Sequence, residues 1–264
     1  MTFQPLLKDK VILITGSTHG IGAATARACV AAGAKVMLHG RHESHAREML
    51  SLLGDQVSYC VKDLMHPDVS RFLLDKTIER FGRLDVLVNN AGIFPRNNIT
   101  TLTNEFYDHV MTVNLRAPLF LAHEAVRVFR EHKIKGNIIN IGSINAYTGQ
   151  NDLLVYSISK GGLMTMTRNL ADFLGPEGIR VNQLNVGWTV TETELHIKKQ
   201  EGLPDNWEEL LPKMFAPSGK LMRPENIAQH VVFWASDISA PVSGQVYEVE
   251  QYPLMGRNLI NEIV

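Results

Sequence analysis

Short apolar runs alternate with longer helix-like segments along most of the chain. Seven of the runs are four to seven residues long and rich in β-branched side chains, which is typical of strands buried in a sheet. We predict strands over Val11–Thr15, Lys35–His39, Val57–Cys60, Leu84–Val88, Asn137–Ile141, Ile179–Asn185 and Gln245–Glu250.

The segments between these runs are predicted to be helices. The first is alanine-rich and ends near Gly33, the second is stopped by Gly54, and the third continues to Arg80. Further helices are predicted within Thr103–Lys133, which holds two, over Asp152–Leu174 and over Pro224–Ser236. Strands joined by helical crossovers must pair in parallel, so the pattern predicts an α/β fold, a doubly wound, seven-stranded parallel sheet with helices on both faces.

No linker, repeat or low-complexity tract interrupts this alternation, so residues 1–264 are expected to form a single domain. The alternation becomes irregular after Val190. We expect residues 190–220 to form a substrate-binding lid within that domain.

Composition and charge exclude several classes of function. A formal net charge of −1 provides no field that would attract nucleic acid or an anionic membrane. The sequence has neither the apolar stretch of a signal peptide nor a run of eighteen apolar residues. Cys29 and Cys60 form no zinc-type spacing or disulfide framework, which favours a reducing compartment. We therefore expect a cytoplasmic protein without nucleic-acid or membrane partners.

Three histidines lie close together around the end of the second strand. His39, His42 and His45 are three residues apart, a spacing that a metal site could use. Histidines at the solvent-facing start of a helix are far commoner, and we expect no metal.

A glycine-rich segment, TGSTHGIG, runs from Thr15 to Gly22 between the first strand and the first helix. Small residues there let the backbone approach a pyrophosphate, and the helix N-terminus offers unpaired N–H groups. The alternative is a tight turn whose glycines only permit positive φ. The glycine spacing is GxxxGxG and not the common GxGxxG. The expected cofactor-binding residues here are Gly16, Thr18, His19, Gly20, Ile21 and Gly22.

The end of the second strand bears on the choice of cofactor. NAD-binding folds usually place a carboxylate there for the adenine ribose, and Gly40 supplies none. Arg41 could instead make a charge-assisted contact with a 2′-phosphate, and His19 could add a donor. We expect NADP(H) to be preferred, with NAD(H) as the alternative. A solvated arginine at a helix start remains the competing interpretation of Arg41.

Two further strand ends are expected to border the cofactor. Asp63 could accept a hydrogen bond from the adenine amino group, although aspartate after a strand is also a common turn residue. The NNAG segment follows the fourth strand, where small residues would let the backbone pass beside the cofactor. The candidate residues at these ends are Asp63, Leu64, Asn90, Ala91 and Gly92.

Ser143, Tyr156 and Lys160 form the candidate catalytic set. Tyr156 and Lys160 are four residues apart on a predicted helix and therefore share one face. A phenol has a pKa of about 10, and a neighbouring ammonium lowers that pKa by favouring the phenolate. Ser143 follows the fifth strand, at the sheet edge where such folds bind ligands. Its hydroxyl could hold a substrate oxygen beside the tyrosine.

Taken together, these motifs resemble those of the short-chain dehydrogenase/reductase family, in its single-domain branch, over nearly the whole chain. The residues that carry the resemblance are TGSTHGIG (the TGxxxGxG motif), NNAG, VNL around Asn114, Ser143, YSISK from Tyr156 (the YxxxK motif) and GWTVT from Gly187. The resemblance implies a Rossmann-type fold, nicotinamide-dependent chemistry on alcohols or carbonyls, and a homo-oligomer, either a tetramer or a dimer.

The resemblance also implies individual roles. Tyr156 would be the proton donor and acceptor, and Lys160 would bind the nicotinamide ribose and lower the pKa of the tyrosine. Ser143 would orient the carbonyl, and Asn114 would hold a water that relays protons towards Lys160. Along the cofactor, Thr189 and Thr191 beside Gly187 would meet the carboxamide, and Asn90 and Asp63 the adenosine half.

The sequence departs from the family pattern at two places. Val186-Gly187 replaces the usual Pro-Gly, so the loop beside the nicotinamide is expected to differ slightly. Gln251-Tyr252-Pro253 replaces a common Asp-Gly-Gly in a tail that often borders substrate or a neighbouring subunit. The second departure leaves the substrate class open.

The sequence thus favours an NADP(H)-dependent oxidoreductase of a small polar carbonyl or alcohol, such as a sugar or polyol. The substrate class follows from polar residues expected in the cleft, Asn145, Gln150, Asn151, Thr191 and Glu194. Trp188 is expected either to stack on substrate or to pack under the lid. The alternatives are a 3-oxoacyl-thioester reductase, which would need a basic docking patch, and a non-catalytic cofactor sensor or scaffold.

Overall fold

A computed structural model describes residues 5–252 of the chain. Seven strands form one parallel sheet in the order β3-β2-β1-β4-β5-β6-β7. The strands are β1 Val11–Ile14, β2 Lys35–Gly40, β3 Val57–Val61, β4 Val86–Asn89, β5 Asn137–Ser143, β6 Arg180–Val186 and β7 Val246–Val249. The predicted doubly wound α/β fold is confirmed, and the order reverses between β1 and β4.

Helices cover both faces of the sheet. They are α1 Gly20–Ala31, α2 Glu43–Leu53, α3 Val69–Phe81, α4 Asn104–Met111, α5 Ala117–Glu131, α6 Asn145–Thr148, α7 Leu154–Leu174, α8 Glu192–Gln200 and α9 Pro224–Ala235. One apolar core packs α1 and α9 against the sheet, and a second packs α3, α5 and α7 against its other face. Among the helices of residues 5–252, none has the length and apolarity needed to cross a bilayer.

Several element boundaries differ from the predicted ones. β4 begins at Val86 and not at Leu84, because Asp85 uses its side chain to accept the Val11 N–H at 2.9 Å. Arg83 holds that carboxylate through two bonds of 2.9 and 2.6 Å. The segment after Val190, predicted to be irregular, contains α8, which is capped by the Thr191 side chain.

A chain of buried polar side chains ties α7 to the centre of the sheet. The Asn89 amide donates to Asn140 Oδ1 at 2.9 Å, and the Asn140 amide donates to the Thr167 hydroxyl at 2.8 Å. That hydroxyl lies 3.0 Å from Gln183 Oε1, and the Gln183 amide donates to Asn185 Oδ1 at 2.6 Å. Because unpaired buried polar groups are costly, this chain fixes the position of α7 on β4, β5 and β6.

We predict that Thr167→Val lowers the free energy of unfolding by about 1–3 kcal/mol. The substitution removes the hydroxyl that pairs with Asn140 and Gln183, and leaves their buried polar groups without a hydrogen-bond partner. Urea titrations followed by circular dichroism would measure the change. Thr165→Val, on the exposed side of the same helix, is the matched control and should stay within about 0.5 kcal/mol of wild type. Equal stability of the two variants would contradict the role assigned to the polar chain.

Candidate functional site

A cavity of about 1120 Å³ opens at the carboxyl edge of the sheet, where the strand order reverses. Most of the predicted site residues line it. From the cofactor and catalytic sets these are Gly16, His19, Gly20, Ile21, Gly22, Gly40, Arg41, Asp63, Leu64, Asn90, Ala91, Gly92, Ser143, Tyr156, Lys160, Gly187, Thr189 and Thr191. From the substrate set they are Asn145, Gln150, Trp188 and Glu194.

Three predicted residues lie outside the lining of this cavity. Thr18 lines a smaller neighbouring cavity of about 500 Å³, and Asn114 is buried behind Gly92. Asn151 is exposed to solvent beyond the cavity, so its placement in the cleft was wrong.

The glycine loop after β1 is shaped by close backbone contacts. Gly16 has a φ of +62°, and a Cβ there would lie 3.0 Å from the Cα of Ala91. A Cβ on Gly22 would lie 2.1 Å from the carbonyl oxygen of Gly16. The N-terminus of α1 has no side-chain cap and no acidic residue in its first turn, so its N–H groups are available to an anion. This cradle fits a dinucleotide pyrophosphate.

The end of β2 presents a cation and no carboxylate. Arg41 is exposed, lines the cavity and makes no ion pair within residues 5–252. Gly40 has a steric reason to lack a side chain, because a Cβ would lie 2.8 Å from the Thr18 hydroxyl oxygen. Burial lowers the pKa of His19, and the nearby His45 and Arg41 lower it further. His19 is therefore a hydrogen-bonding group at neutral pH and adds little positive charge.

Asn90 and Asp63 both line the cavity, and both also support the local backbone. The Asn90 amide donates to the carbonyl oxygens of Thr15 and Gly16 at 2.9 and 3.1 Å, which fastens the glycine loop to the end of β4. Asp63 accepts the Met65 N–H at 2.9 Å, as a turn-forming aspartate does. Its cofactor contact and its turn role are compatible because a carboxylate has several acceptor sites.

Lys160 is buried beneath Tyr156 on α7. Its ammonium donates to the Ile141 carbonyl at 2.8 Å and lies 5.7 Å from the centre of the Tyr156 ring. Burial lowers the pKa of Lys160 to about 8. The side chain therefore stands close to its protonation midpoint near neutral pH, which suits a group that passes protons.

The pKa of Tyr156 departs from the sequence-based expectation. Burial raises it, the hydroxyl of Ser143 opposes that rise, and the Glu194 carboxylate adds to it. Lys160 does not contribute the expected lowering of this pKa, because its ammonium donates to the Ile141 carbonyl. The phenol is thus held protonated and ready to donate.

Asn114 lies in a π-helical turn, Thr112–Arg116, that joins α4 to α5. Such turns are common at functional sites. Asn114 Oδ1 accepts the Ile93 N–H at 2.8 Å, and its amide donates to the Ile93 carbonyl at 2.8 Å and to Ser159 Oγ at 3.2 Å. A Cβ on Gly92 would lie within 3.5 Å of both Asn114 Oδ1 and Lys160 Nζ, so this glycine keeps the space between the two side chains open.

The side of the cavity formed by residues 188–215 is aromatic and charged. Trp188 stacks on Trp207 with ring centres 5.5 Å apart, and its indole donates to Glu194 Oε1 at 2.9 Å. Trp188 lines the cavity and packs against Trp207, a position that is compatible with either of its expected roles. Glu194 is 9% exposed, and Lys198 lies 3.8 Å from the same oxygen.

Sequence reasoning missed several lining residues, among them Phe94, Arg96, Lys198 and Phe215. They lie on loops or on α8, where no motif or period marks them. The altered tail contributes as well. Tyr252 lines the cavity, Gln251 hydrogen-bonds Ser218 and the Lys220 carbonyl, and Pro253 lies outside the described residues.

His39, His42 and His45 lie at the end of β2 and the start of α2. Within the described residues, no three His, Cys, Asp or Glu side chains are placed to share a metal ion. His39 is also not at a solvent-facing helix start, as the sequence suggested for all three, because it is the penultimate residue of β2 and only 2% exposed.

Known proteins resemble this chain over nearly its full length. A family model described as Enoyl-(Acyl carrier protein) reductase matches residues 16–251. An L-rhamnose 1-dehydrogenase (NAD(P)(+)) of Azotobacter vinelandii is 33% identical over 90% of this chain and 94% of its own. A galactitol 2-dehydrogenase of Agrobacterium fabrum is 32% identical over 92% of this chain and 97% of its own.

A solved structure agrees with the fold. The 3-ketoacyl-(acyl-carrier-protein) reductase of Brucella melitensis, complexed with NADH, matches with a TM-score of 0.82 and 27% identity. The match covers 92% of this chain and 97% of that one. The two proteins therefore share one fold over most of their lengths.

Proposed function

The chain belongs to the short-chain dehydrogenase/reductase family, and from that premise we propose an NADP(H)-dependent oxidoreductase that acts on the hydroxyl or carbonyl group of a sugar or polyol. One observation carries the proposal. The glycine cradle after β1 and the set Ser143, Tyr156 and Lys160 open into the same cavity. A protein that only sensed a cofactor would have no use for the second group, so the scaffold alternative is not favoured.

Each residue at the carboxyl edge of the sheet has a separate role in the proposed reaction. A bound nicotinamide ring would accept or return the hydride. Ser143 holds the substrate oxygen, and Tyr156 gives a proton to that oxygen in reduction or takes one from it in oxidation. Lys160, with a pKa of about 8, supplies or receives the next proton from its buried position, and Asn114 holds the water beside it.

The cofactor preference rests on charge at the end of β2. Gly40 offers no acceptor for a free ribose hydroxyl, while the guanidinium of Arg41, which has no ion pair within residues 5–252, suits a 2′-phosphate. The helix N-terminus and the glycine cradle hold the pyrophosphate in either cofactor. NAD(H) is thus the weaker ligand by the contribution of one charge-assisted contact.

The substrate class rests on the charges around the lid. Lys198 is paired with Glu201 at 2.7 Å, and Arg96 with the same carboxylate at 2.9 Å. Both cations are therefore engaged by carboxylates, which disfavours an anionic substrate. Glu194 turns only Oε1 to Trp188, so Oε2 can accept a substrate hydroxyl.

This arrangement favours a neutral, hydroxyl-rich substrate over a 3-oxoacyl thioester. The thioester alternative would need an unpaired basic patch for a phosphorylated carrier, and Lys198 and Arg96 at this side of the cavity are both paired with carboxylates. The relatives named as L-rhamnose and galactitol dehydrogenases act on sugars and polyols, which supports the same class.

The proposal extends to assembly and location. Apolar side chains remain exposed on α5, at Leu119 and Phe120, and on α7, at Ile158 and Phe173. They support a homo-oligomer, a tetramer or a dimer. We further propose one domain with a lid over residues 190–220, and a cytoplasmic location that suits two buried free cysteines.

We expect Tyr156→Phe to lower kcat by about 10²–10⁴-fold and to change the cofactor Kd by less than about threefold, because the phenol moves the proton but lies away from the phosphates. Initial rates with sugars and polyols and cofactor titrations by tryptophan fluorescence would measure both. A variant that kept a tenth of the wild-type kcat would rule out this role.

We expect Arg41→Ala to weaken NADPH binding about tenfold or more and to leave NADH binding almost unchanged, since only the 2′-phosphate loses a contact. The measurement is kcat/KM for both cofactors in wild type and variant, repeated at high salt, where the difference should shrink. A wild-type preference for NADH, or equal losses for both cofactors, would refute the assignment.

We expect Glu194→Gln to lower kcat/KM for a polyol about tenfold or more, and to spare a simple secondary alcohol that has no second hydroxyl. Because the Glu194 carboxylate raises the pKa of Tyr156, the rise of the oxidation rate with pH should move to lower pH. Glu209→Gln, on an exposed part of the lid, is the matched control. Equal losses on both alcohols would count against Glu194 as a specificity residue.

A further inference from the structure

His39 lies where three strand ends meet, and no role in the proposed reaction has been assigned to it. Its backbone exchanges two bonds with Ser17, since the Ser17 N–H donates to the His39 carbonyl at 2.9 Å and the His39 N–H donates to Ser17 Oγ at 2.9 Å. Its ring reaches from the glycine loop after β1 to the end of β3. His39 is thus part of β2 and also holds the glycine loop in place through hydrogen bonds.

The ring contacts define a single neutral tautomer. The Gly16 N–H donates to His39 Nδ1 at 3.2 Å, so that nitrogen must carry a lone pair. The other nitrogen, Nε2, lies 2.8 Å from the Lys62 carbonyl oxygen, which can only accept, so Nε2 must carry the hydrogen. Both ring nitrogens are satisfied only in this form.

We propose that the neutral imidazole of His39 is a positioning residue for the cofactor, because it holds Gly16 and through it the cradle that receives the pyrophosphate. Gly16 is held at a φ of +62°, with Ala91 and the amide of Asn90 packed against it. A shift of its N–H would move the following turns up to Gly22. The inference rests on the proposed function, because it assumes that this cradle binds a nicotinamide dinucleotide.

Protonation of His39 would break the arrangement. A second ring hydrogen on Nδ1 would face the Gly16 N–H, and two donors cannot bond each other. Burial lowers the pKa of His39, and Arg41 at the end of β2 lowers it as well. Asp63 and the Lys62 carbonyl, both after β3, oppose the shift, while the Lys62 ammonium is paired with Asp68. The neutral form is the stable one at neutral pH and is lost as the pH falls.

Two variants distinguish the effect of the hydrogen bond to Gly16 from the effect of protonating the His39 ring. His39→Leu removes the acceptor for Gly16 and should weaken NAD⁺ and NADP⁺ binding alike, by about five- to a hundredfold. His39→Asn places an amide oxygen where Nδ1 stood and cannot titrate, so it should stay within about threefold of wild type at pH 8. Fluorescence titrations with the oxidised cofactors, which tolerate acid, would give each Kd.

The pH profile supplies the readout that a merely structural residue would not change. NAD⁺ affinity of wild type should fall at a pH below the ordinary histidine range, because burial lowers the pKa of His39, and His39→Asn should remove that fall. Protonation of His19 would instead raise the NAD⁺ affinity as the pH falls, because a cation beside the pyrophosphate strengthens binding. His123→Asn, an exposed histidine on α5, should keep the wild-type profile.

The outcomes are distinct. Tight binding by His39→Leu, or an acid fall that persists in His39→Asn, would overturn the role of His39 and leave the oxidoreductase proposal intact. Wild type that bound neither NAD⁺ nor NADP⁺ would overturn both. If His39→Leu fails to fold by circular dichroism, the comparison of wild type with His39→Asn across pH decides.

Discussion

The parallel pairing of all seven strands is the constraint on which the rest of the molecule depends. Because every strand points the same way, all the carboxyl ends emerge at one edge of the sheet. Between β1 and β4 the connections leave towards opposite faces, and the space between them becomes the cavity. Glycines after β1 and β4 keep that space open to a ligand, while Ser143 at the end of β5 borders it from one side.

Helix α7 joins the stability of the molecule to the geometry of its site. Its N-terminal half carries Tyr156 and Lys160, and its C-terminal half is fixed to the sheet through Thr167. Ser143 lies on β5, the strand that also supplies Asn140 to the buried polar chain. The distance between the serine and the tyrosine is therefore set by the same hydrogen bonds that hold the helix in place.

The sequence predicted the strands, the glycine loop and the catalytic set because each has a local signature, either a short β-branched run or a motif between a strand and a helix. It missed features that depend on contacts between distant segments. Asp85 shortens β4 by bonding the backbone of β1, and His39 is buried because three strand ends enclose it. The raised pKa of Tyr156 depends on burial and on Glu194, which no spacing reveals.

Gly40 restricts how the cofactor preference of this protein can change over time. The space that a side chain at this position would need is already taken by Thr18 on the neighbouring loop. A carboxylate for a free ribose therefore cannot be placed there without displacing the Thr18 side chain. A lineage or an engineer would first have to shrink or turn the side chain at position 18. A change at position 40 thus depends first on the side chain at position 18, which is a steric condition separate from the charge of Arg41.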